Sequence, residues 1–283
     1  MPMQLNNNPR ISVAMGTLFR RDSLDLLRRS VDSILTQTVS DFEFLICDDG
    51  STTEAVEYLN SVTEHDPRIR MVRPGSKTDL ASKLNACLCE ARGSYIARMD
   101  DDDFSLPNRF EKQLQVLNAE PDVAFVGCNV RLFQDEKLCG IRRLPEYPQI
   151  RDFFMTQPYI HPTLMFRREA LETVNGYSED THQILCEDYD LLLRLYAKGY
   201  NGKNIQDELL DYTIPADGKS NRKLRHRWNE SVTRLMRFKE LGVLPKALPY
   251  VVKPLAVGMI PNRILLTIKK NQNEQLFNNT SIS

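Results

Sequence analysis

The chain has 283 residues, room for one large domain or two small ones, and its 41% hydrophobic and 27% charged content is that of an ordinary soluble globular protein. The formal net charge of -1 conceals two unlike parts: residues 219–283 carry 13 Lys/Arg against 3 Asp/Glu, whereas residues 1–218 carry 24 against 35. Six cysteines without metal-site spacing fit a reduced, cytosolic protein, and the polar, Asn-rich start from Met1 to Pro9 is not read as a signal peptide.

Ile11 to Met15 reads as a buried strand ended by Gly16-Thr17, followed by a helix capped by Asp22 or Ser23 with Leu24, Leu27, Val31, Ile34 and Leu35 on one face. Phe42 to Cys47 is a second strand running into Asp48-Asp49-Gly50-Ser51, and Ser51-x-x-Glu54 reads as a capping box opening a helix through Val62. Ile69 to Val72 is a third strand. After Gly75 comes a helix carrying Leu80, Leu84, Leu88 and Ala91, then a fourth strand from Tyr95 to Met99. Ser105 and Pro107 read as the start of a helix with Phe110, Leu114 and Leu117 inward, before a fifth strand from Val123 to Val126. This alternation predicts a parallel α/β sheet with helices on both faces. Beyond it, 131–143 reads as a hairpin or loop, 160–166 as a strand and 168–174 as a short helix ended by Asn175-Gly176. Cys186 to Asp190 opens another helix, ended by Gly199, in which Glu187 and Asp188 serve at the least as first-turn acids favoured by the helix dipole.

The fourth strand delivers Arg98-Met99 into Asp100-Asp101-Asp102-Asp103. Four consecutive carboxylates repel one another and gain little unless a cation or cationic ligand joins them. They are placed at a strand's carboxyl end, the edge where ligands bind in open α/β sheets. Hard oxygen ligands of this kind suit Mg²⁺ or Mn²⁺ completed by substrate phosphates. The alternative is a solvated acidic loop. An EF-hand is excluded, because Phe104 and Ser105 stand where a ligand and the turn glycine are required.

Trp228 to Leu241 reads as an amphipathic helix, and 247–268 is apolar but broken by Lys253, Arg263 and three prolines. Its longest uncharged stretch, Pro254 to Asn262, is nine residues, far below the ~20 that a spanning helix needs. Apolar runs edged by Lys and Arg suit a segment lying on an anionic membrane surface; a helix pair packed on the catalytic domain or a dimer interface is the alternative. Basic charge without base-reading aromatics gives no expectation of nucleic acid.

Taken together, Asp48-Asp49-Gly50-Ser51-Thr52, Leu84-Asn85-Ala86, the run from Ala91-Arg92-Gly93 through Asp103, His161-Pro162-Thr163, Gly176-Tyr177 and Glu187-Asp188-Tyr189-Asp190 with Arg194 resemble the family 2 glycosyltransferases, particularly bacterial enzymes that build surface polysaccharides. The resemblance covers about residues 10 to 215 and implies the GT-A (Rossmann-like) fold: a mostly parallel sheet flanked by helices over 1–218, followed by a helical, basic extension over 219–283. It implies that Asp48 and Asp49 hold the nucleoside of a nucleotide-diphosphate sugar, often a UDP-sugar, with Thr17 lining the same pocket. It implies that Asp100 and Asp102 bind Mn²⁺ or Mg²⁺ against the diphosphate, with Asp101 between them and Asp103 beside the donor sugar, and that Asp188 is the catalytic base. Arg98 is expected either on donor phosphate or paired with a local acid. His161 and Glu187 fall on the acceptor side, His161 with a purely structural role as its alternative.

The first strand ends Ala14-Met15-Gly16-Thr17-Leu18, where the family usually has a proline-threonine-tyrosine-asparagine run, so donor preference is not carried over. The stretch from Arg222 to Arg227 lacks the Q-x-x-R-W pattern of processive synthases, which favours a single-addition transferase. The expected protein is therefore a metal-dependent, inverting glycosyltransferase acting on a growing, lipid-linked or free glycan. It is expected in the cytoplasm, peripheral at the inner membrane and able to form homo-oligomers. The rivals are a metal-dependent nucleotidyltransferase and a non-catalytic nucleotide-sugar-binding scaffold.

Overall fold

The computed structural model describes residues 8–21, 23–180, 184–214 and 224–259. The expected Asp22 cap, most of the polar N-terminus, the apolar stretch beyond Met259 and the boundary near 218 lie outside the described residues. The chain alternates β1 (Ile11–Thr17), α1 (Asp25–Leu35), β2 (Phe42–Asp48), α2 (Thr53–His65), β3 (Ile69–Val72), α3 (Leu80–Glu90) and β4 (Tyr95–Arg98). These four strands are parallel in the order β3-β2-β1-β4, with Ala14 opposite Leu45 and Thr17 opposite Asp48. Both faces are buried, which is why the strands read as continuous apolar runs. Val13, Met15, Phe44 and Ile46 face one core with Leu27 and Val31 of α1, whereas Ala14, Leu45 and Cys47 face a second core with Leu84 and Cys87 of α3. Gly93 is required where the chain enters β4, because a Cβ there would stand 2.5 Å from the Ser12 backbone nitrogen.

The second half continues with β5 (Phe104–Ser105), α4 (Arg109–Ala119), β6 (Val123–Gln134), β7 (Lys137–Arg142), β8 (Met165–Arg167), α5 (Arg168–Thr173), α6 (Glu187–Ala197), β9 (Asn201–Thr213), α7 (Leu224–Glu240) and α8 (Leu244–Gly258). The sheet extends β4-β8-β6-β9-β5, with β7 paired to β6. β8 is antiparallel to both β4 and β6, while β6 and β9 are parallel. The sheet is thus mixed and mostly parallel. Register shifts around Cys128 and Asn129 bulge the β6–β9 ladder, and bulges bend strands. The hairpin expected over 131–143 is present, its turn made by Asp135 and Glu136 with φ of 47° and 63°.

Local differences from the sequence expectation have physical causes. The first strand runs on through Gly16 to Thr17, because its pairing with β2 continues to Asp48. The cap of α2 is Thr52, whose side chain accepts from Ala55 N at 3.3 Å; Ser51 is drawn away by Asp48 and by Phe19 N. Ser105 does not cap α4 but pairs in the sheet with Leu210, and Asn108 begins the helix. The expected strand over 160–166 is shortened to β8, because Pro162 sits in a 3-10 turn over His161–Thr163. Strand β9 was not expected at all.

Phe238 of α7 and Ala247 and Val251 of α8 are buried in the same core as Phe153 and Leu191. Trp228, Leu248, Val252 and Met259 of this pair remain exposed. Among the described residues no helix is long and apolar enough to cross a membrane.

Candidate active site

The acids after β4 are held from three sides. Ser30 Oγ of α1 donates to the Asp100 carbonyl at 2.7 Å. Thr17 Oγ1, at the end of β1, donates to Asp101 Oδ2. Thr213, the last residue of β9, donates its backbone N–H to Asp103 Oδ1 at 2.8 Å and its hydroxyl to the Asp102 carbonyl. The loop is therefore built by both halves of the sheet.

Arg98 is 2% exposed and pairs with Asp100 while also donating to the Met99 carbonyl. Of the two expected roles, the observed contact is the local ion pair. Arg21 pairs with Asp102. Burial, and then the charges of Asp100 and Asp101, push the Asp102 carboxyl up to about 7 despite that arginine. Burial raises Asp101 as well. Asp103 is 2% exposed and lies well above the ordinary carboxyl range, through burial and the charges of Asp100 and Asp102; its Oδ2 is buried without a hydrogen-bond partner. Among the described residues no three His, Cys, Asp or Glu side chains converge to enclose a metal ion. The donor set nevertheless fits one: hard oxygens, an excess of buried negative charge and an orphaned carboxylate oxygen suit a divalent ion that takes one or two carboxylates and draws its remaining ligands from phosphate and water.

At the neighbouring strand end, Asp48 accepts from Gly50 N and Ser51 N, both at 3.3 Å, and from the Ser51 hydroxyl, while Asp49 N donates to the Thr17 carbonyl at 3.3 Å. That carbonyl also accepts from the buried Lys83 Nζ at 2.9 Å. Thr17, Asp48 and Asp49 are thus adjacent, and Thr17 joins them to the acid loop.

Glu187 and Asp188 occupy the first turn of α6, just after Leu185, whose φ of 65° is strained for a leucine. Asp188 Oδ2 accepts from Gln157 Nε2 at 2.9 Å and Oδ1 from Tyr189 N at 2.8 Å. Burial, then the charge of Asp188, raises Glu187 to about 7. Tyr177 is buried as well. Its phenol is raised by burial and also feels the charges of Asp188, Glu187 and Asp100, against the opposing effect of Arg98. The Tyr177 hydroxyl lies 2.8 Å from His161 Nε2. Burial first, and then Arg98, hold His161 well below its usual range, so the ring is neutral. Tyr177 is anchored by Asn85, which accepts from its N–H at 2.9 Å and donates to its carbonyl at 2.8 Å.

The structure therefore joins Arg98 to Asp100, His161 to Tyr177, and Thr17 and Thr213 to the loop of Asp101, Asp102 and Asp103. Sequence reasoning did not single out Arg21, Lys83, Gln157 or Thr213. Tyr177 belonged to a motif it used but was given no role; its place directly after a left-handed Asn175-Gly176 turn was the available signal. The arrangement offers carboxylates that can take a proton, acids that can hold a cation, and a neutral imidazole that can share a hydrogen bond.

Residues 12–174 match the sequence profile of the glycosyl transferase family 2. The chain is 30% identical to the putative glycosyltransferase EpsE of Bacillus subtilis, over 96% of this chain and 99% of that protein. It is 28% identical to the amylovoran biosynthesis glycosyltransferase AmsE of Erwinia amylovora, over 88% of this chain and 94% of the relative. Among solved structures, S. aureus TarS 1-349 in complex with UDP-GlcNAc aligns with a TM-score of 0.66 at 13% identity, covering 86% of this chain and 73% of that 1-349 chain, a likeness in fold alone.

Proposed function

The chain belongs to glycosyl transferase family 2, and from that premise we propose that it moves one sugar from a nucleotide-diphosphate sugar, a UDP-sugar by preference, to a growing surface polysaccharide, with inversion at the anomeric carbon. The observation that carries this reading is the acid loop after β4, held by Ser30, Thr17 and Thr213 and leaving Asp103 Oδ2 buried without a hydrogen-bond partner. Asp48 and Asp49 accept hydrogen bonds from the nucleoside, and Thr17 lines that pocket. Asp103 lies beside the donor sugar. Asp188 takes the proton from an acceptor hydroxyl as its oxygen attacks the anomeric carbon and the bond to the diphosphate breaks. One such displacement inverts that carbon. Asp100 and Asp102 would hold Mn²⁺ or Mg²⁺, which supplies positive charge against the departing nucleoside diphosphate. Glu187 and His161 flank the acceptor, His161 as a neutral hydrogen-bonding group.

Residues 1–218 act as the catalytic unit in this reading. The extension from 219, with its basic excess and its exposed Trp228, Leu248 and Val252, suits an anionic membrane surface at the cytoplasmic face or a second copy of the chain. The relation to AmsE supports the polysaccharide context. The test is thermal stabilisation by UDP-, GDP-, dTDP- and CMP-linked sugars, each with Mn²⁺ and with EDTA. Ligand at ~100 times its dissociation constant stabilises the fold by about 2.7 kcal/mol. A metal-dependent response to one nucleotide class is expected. No response from the folded protein to any of them would defeat the reading.

A further inference from the structure

A cavity of about 320 Å³ is walled by residues 142–145 and 151–158. Its wall includes Gln157, whose amide donates to Asp188 Oδ2 at 2.9 Å, and Pro158, with Met155 at the rim. Three arginines line the rest: Arg142 at the end of β7, Arg143 beside it, and Arg151 on the 3-10 turn of Ile150–Phe153. Among the described residues Arg142 and Arg151 have no ion pair and no side-chain hydrogen bond, and Arg143 reaches only Glu208, at 3.6 Å. The acid in this wall, Asp152, is turned to the Gln149 N–H at 2.7 Å. The cavity thus carries an uncompensated positive charge.

The cavity meets the proposed site through Gln157 in its wall, which donates to Asp188. The rim is also braced from below: Arg234 of α7 donates to the Phe154 carbonyl at 2.7 Å, and Lys253 of α8 donates to the Met155 carbonyl at 2.6 Å. The helices that carry the exposed apolar side chains therefore hold the mouth of this cavity in place.

We infer that this cavity receives the acceptor, and that Arg142, Arg143 and Arg151 bind an anionic group on it. Planar guanidinium groups, two of them without an internal ion pair and the third with a long one, suit the oxygens of a phosphate ester or a carboxylate. The acceptor is thus assigned as an acidic molecule, either a lipid phosphate or a glycan bearing an acid. This rests on the reading of Asp188 as the base.

The experiment is isothermal titration in EDTA with three probes: farnesyl phosphate, a glucuronate-terminated tetrasaccharide and inorganic phosphate. It is run on the wild type and on Arg142→Gln, Arg151→Gln and Arg142→Lys, each checked by its thermal melt. One of the two larger probes is expected to bind more tightly than inorganic phosphate. Its Kd should rise at least tenfold in Arg142→Gln and Arg151→Gln and recover in Arg142→Lys. Farnesyl phosphate as that probe identifies a lipid phosphate; the tetrasaccharide identifies a glycan acid. Binding that is indifferent to the arginines, binding of inorganic phosphate alone, or no binding at all would overturn the assignment. Stabilisation by a nucleotide sugar with Mn²⁺ is measured on the same preparation. If it persists while the probes fail, only the acceptor assignment falls; if it is absent, the transferase reading itself falls.

Discussion

Arg237 on α7 donates through Nε to Asp190 Oδ1 at 2.7 Å, and Arg194 of α6 holds the other oxygen of the same buried carboxylate at 2.7 Å. Asp190 stands two residues after Asp188 on one helix, so α7 grips the element that presents the proposed base. Arg194 extends the grip by donating to the carbonyls of Val174 and Gly176, at 2.6 Å and 2.8 Å, just before Tyr177. Replacing Arg237 with Met leaves Asp190 half-compensated. The expected cost is about 1–3 kcal/mol, since one of two partners of a buried charge is lost. Urea denaturation reads the stability, and kcat should fall more than donor affinity. Unchanged stability and kcat would show that α7 has no part in holding α6.

Asp188→Asn keeps the shape of the side chain and removes its basicity. Transfer is expected to drop by about 10²–10⁴-fold, the usual range for a positioned general base. Nucleotide-sugar binding, followed by calorimetry, should stay within about twofold. Full activity in this variant would remove Asp188 from its assigned role.

Asp102→Ala takes away one of the two assigned metal ligands together with the partner of Arg21. The stabilisation that Mn²⁺ adds to the nucleotide-sugar complex should shrink or vanish, and EDTA should then make little further difference. Retention of the full Mn²⁺ effect would transfer the ligand role to a neighbouring acid.

Glu187 gives a pH dependence whose sign follows from its environment. Burial, then Asp188, raises its folded pKa to about 7. A carboxyl raised on folding favours the folded state most below its ordinary pKa of about 4.3, and that contribution is lost as pH rises through about 7. Glu187→Gln abolishes this loss. The stability difference between variant and wild type should therefore move in the variant's favour between pH 5 and pH 8, by roughly 1–3 kcal/mol. Denaturation at four pH values across that window measures it; a difference that is flat with pH would contradict the raised pKa.

Tyr177→Phe strands the buried His161 Nε2, whose 2.8 Å partner is the Tyr177 hydroxyl. Leaving such a group unsatisfied costs about 1–3 kcal/mol. The double variant with His161→Phe should recover part of that loss, because it removes both polar partners. Additive losses in the two single variants would indicate that the pair is not coupled.

The first half of the fold was legible because β1 to β4 are covered on both faces, and burial of that kind leaves uninterrupted apolar runs between helices. β9 was hidden because Lys203, Gln206, Asp207 and Glu208 break any alternation, and the bulges opposite Cys128 and Asn129 shift the faces that its residues meet. Met165 to Arg167 was legible as a strand, but its start was misplaced because Pro162 turns the chain first. Within the site, the acids announced themselves by clustering at strand and helix ends. Arg21 and Thr213 did not, because each is a single ordinary residue that reaches Asp102 from 81 and 111 positions away. Gln157 carries no local signature whatever; only the packing of the 150–158 segment against α6 and α7 gives it a task.

The clasp of Thr213 on Asp102 and Asp103 makes the acid loop depend on the far end of the sheet. The β1–β4 unit contains every residue needed to begin the acid loop, yet β5 pairs only with Asp211 and Leu210. The acid loop is thus pinned by a residue 110 and 111 positions further along the chain. Contacts that join such distant positions form late. The final form of the loop therefore waits on β9, however early β1 to β4 pair.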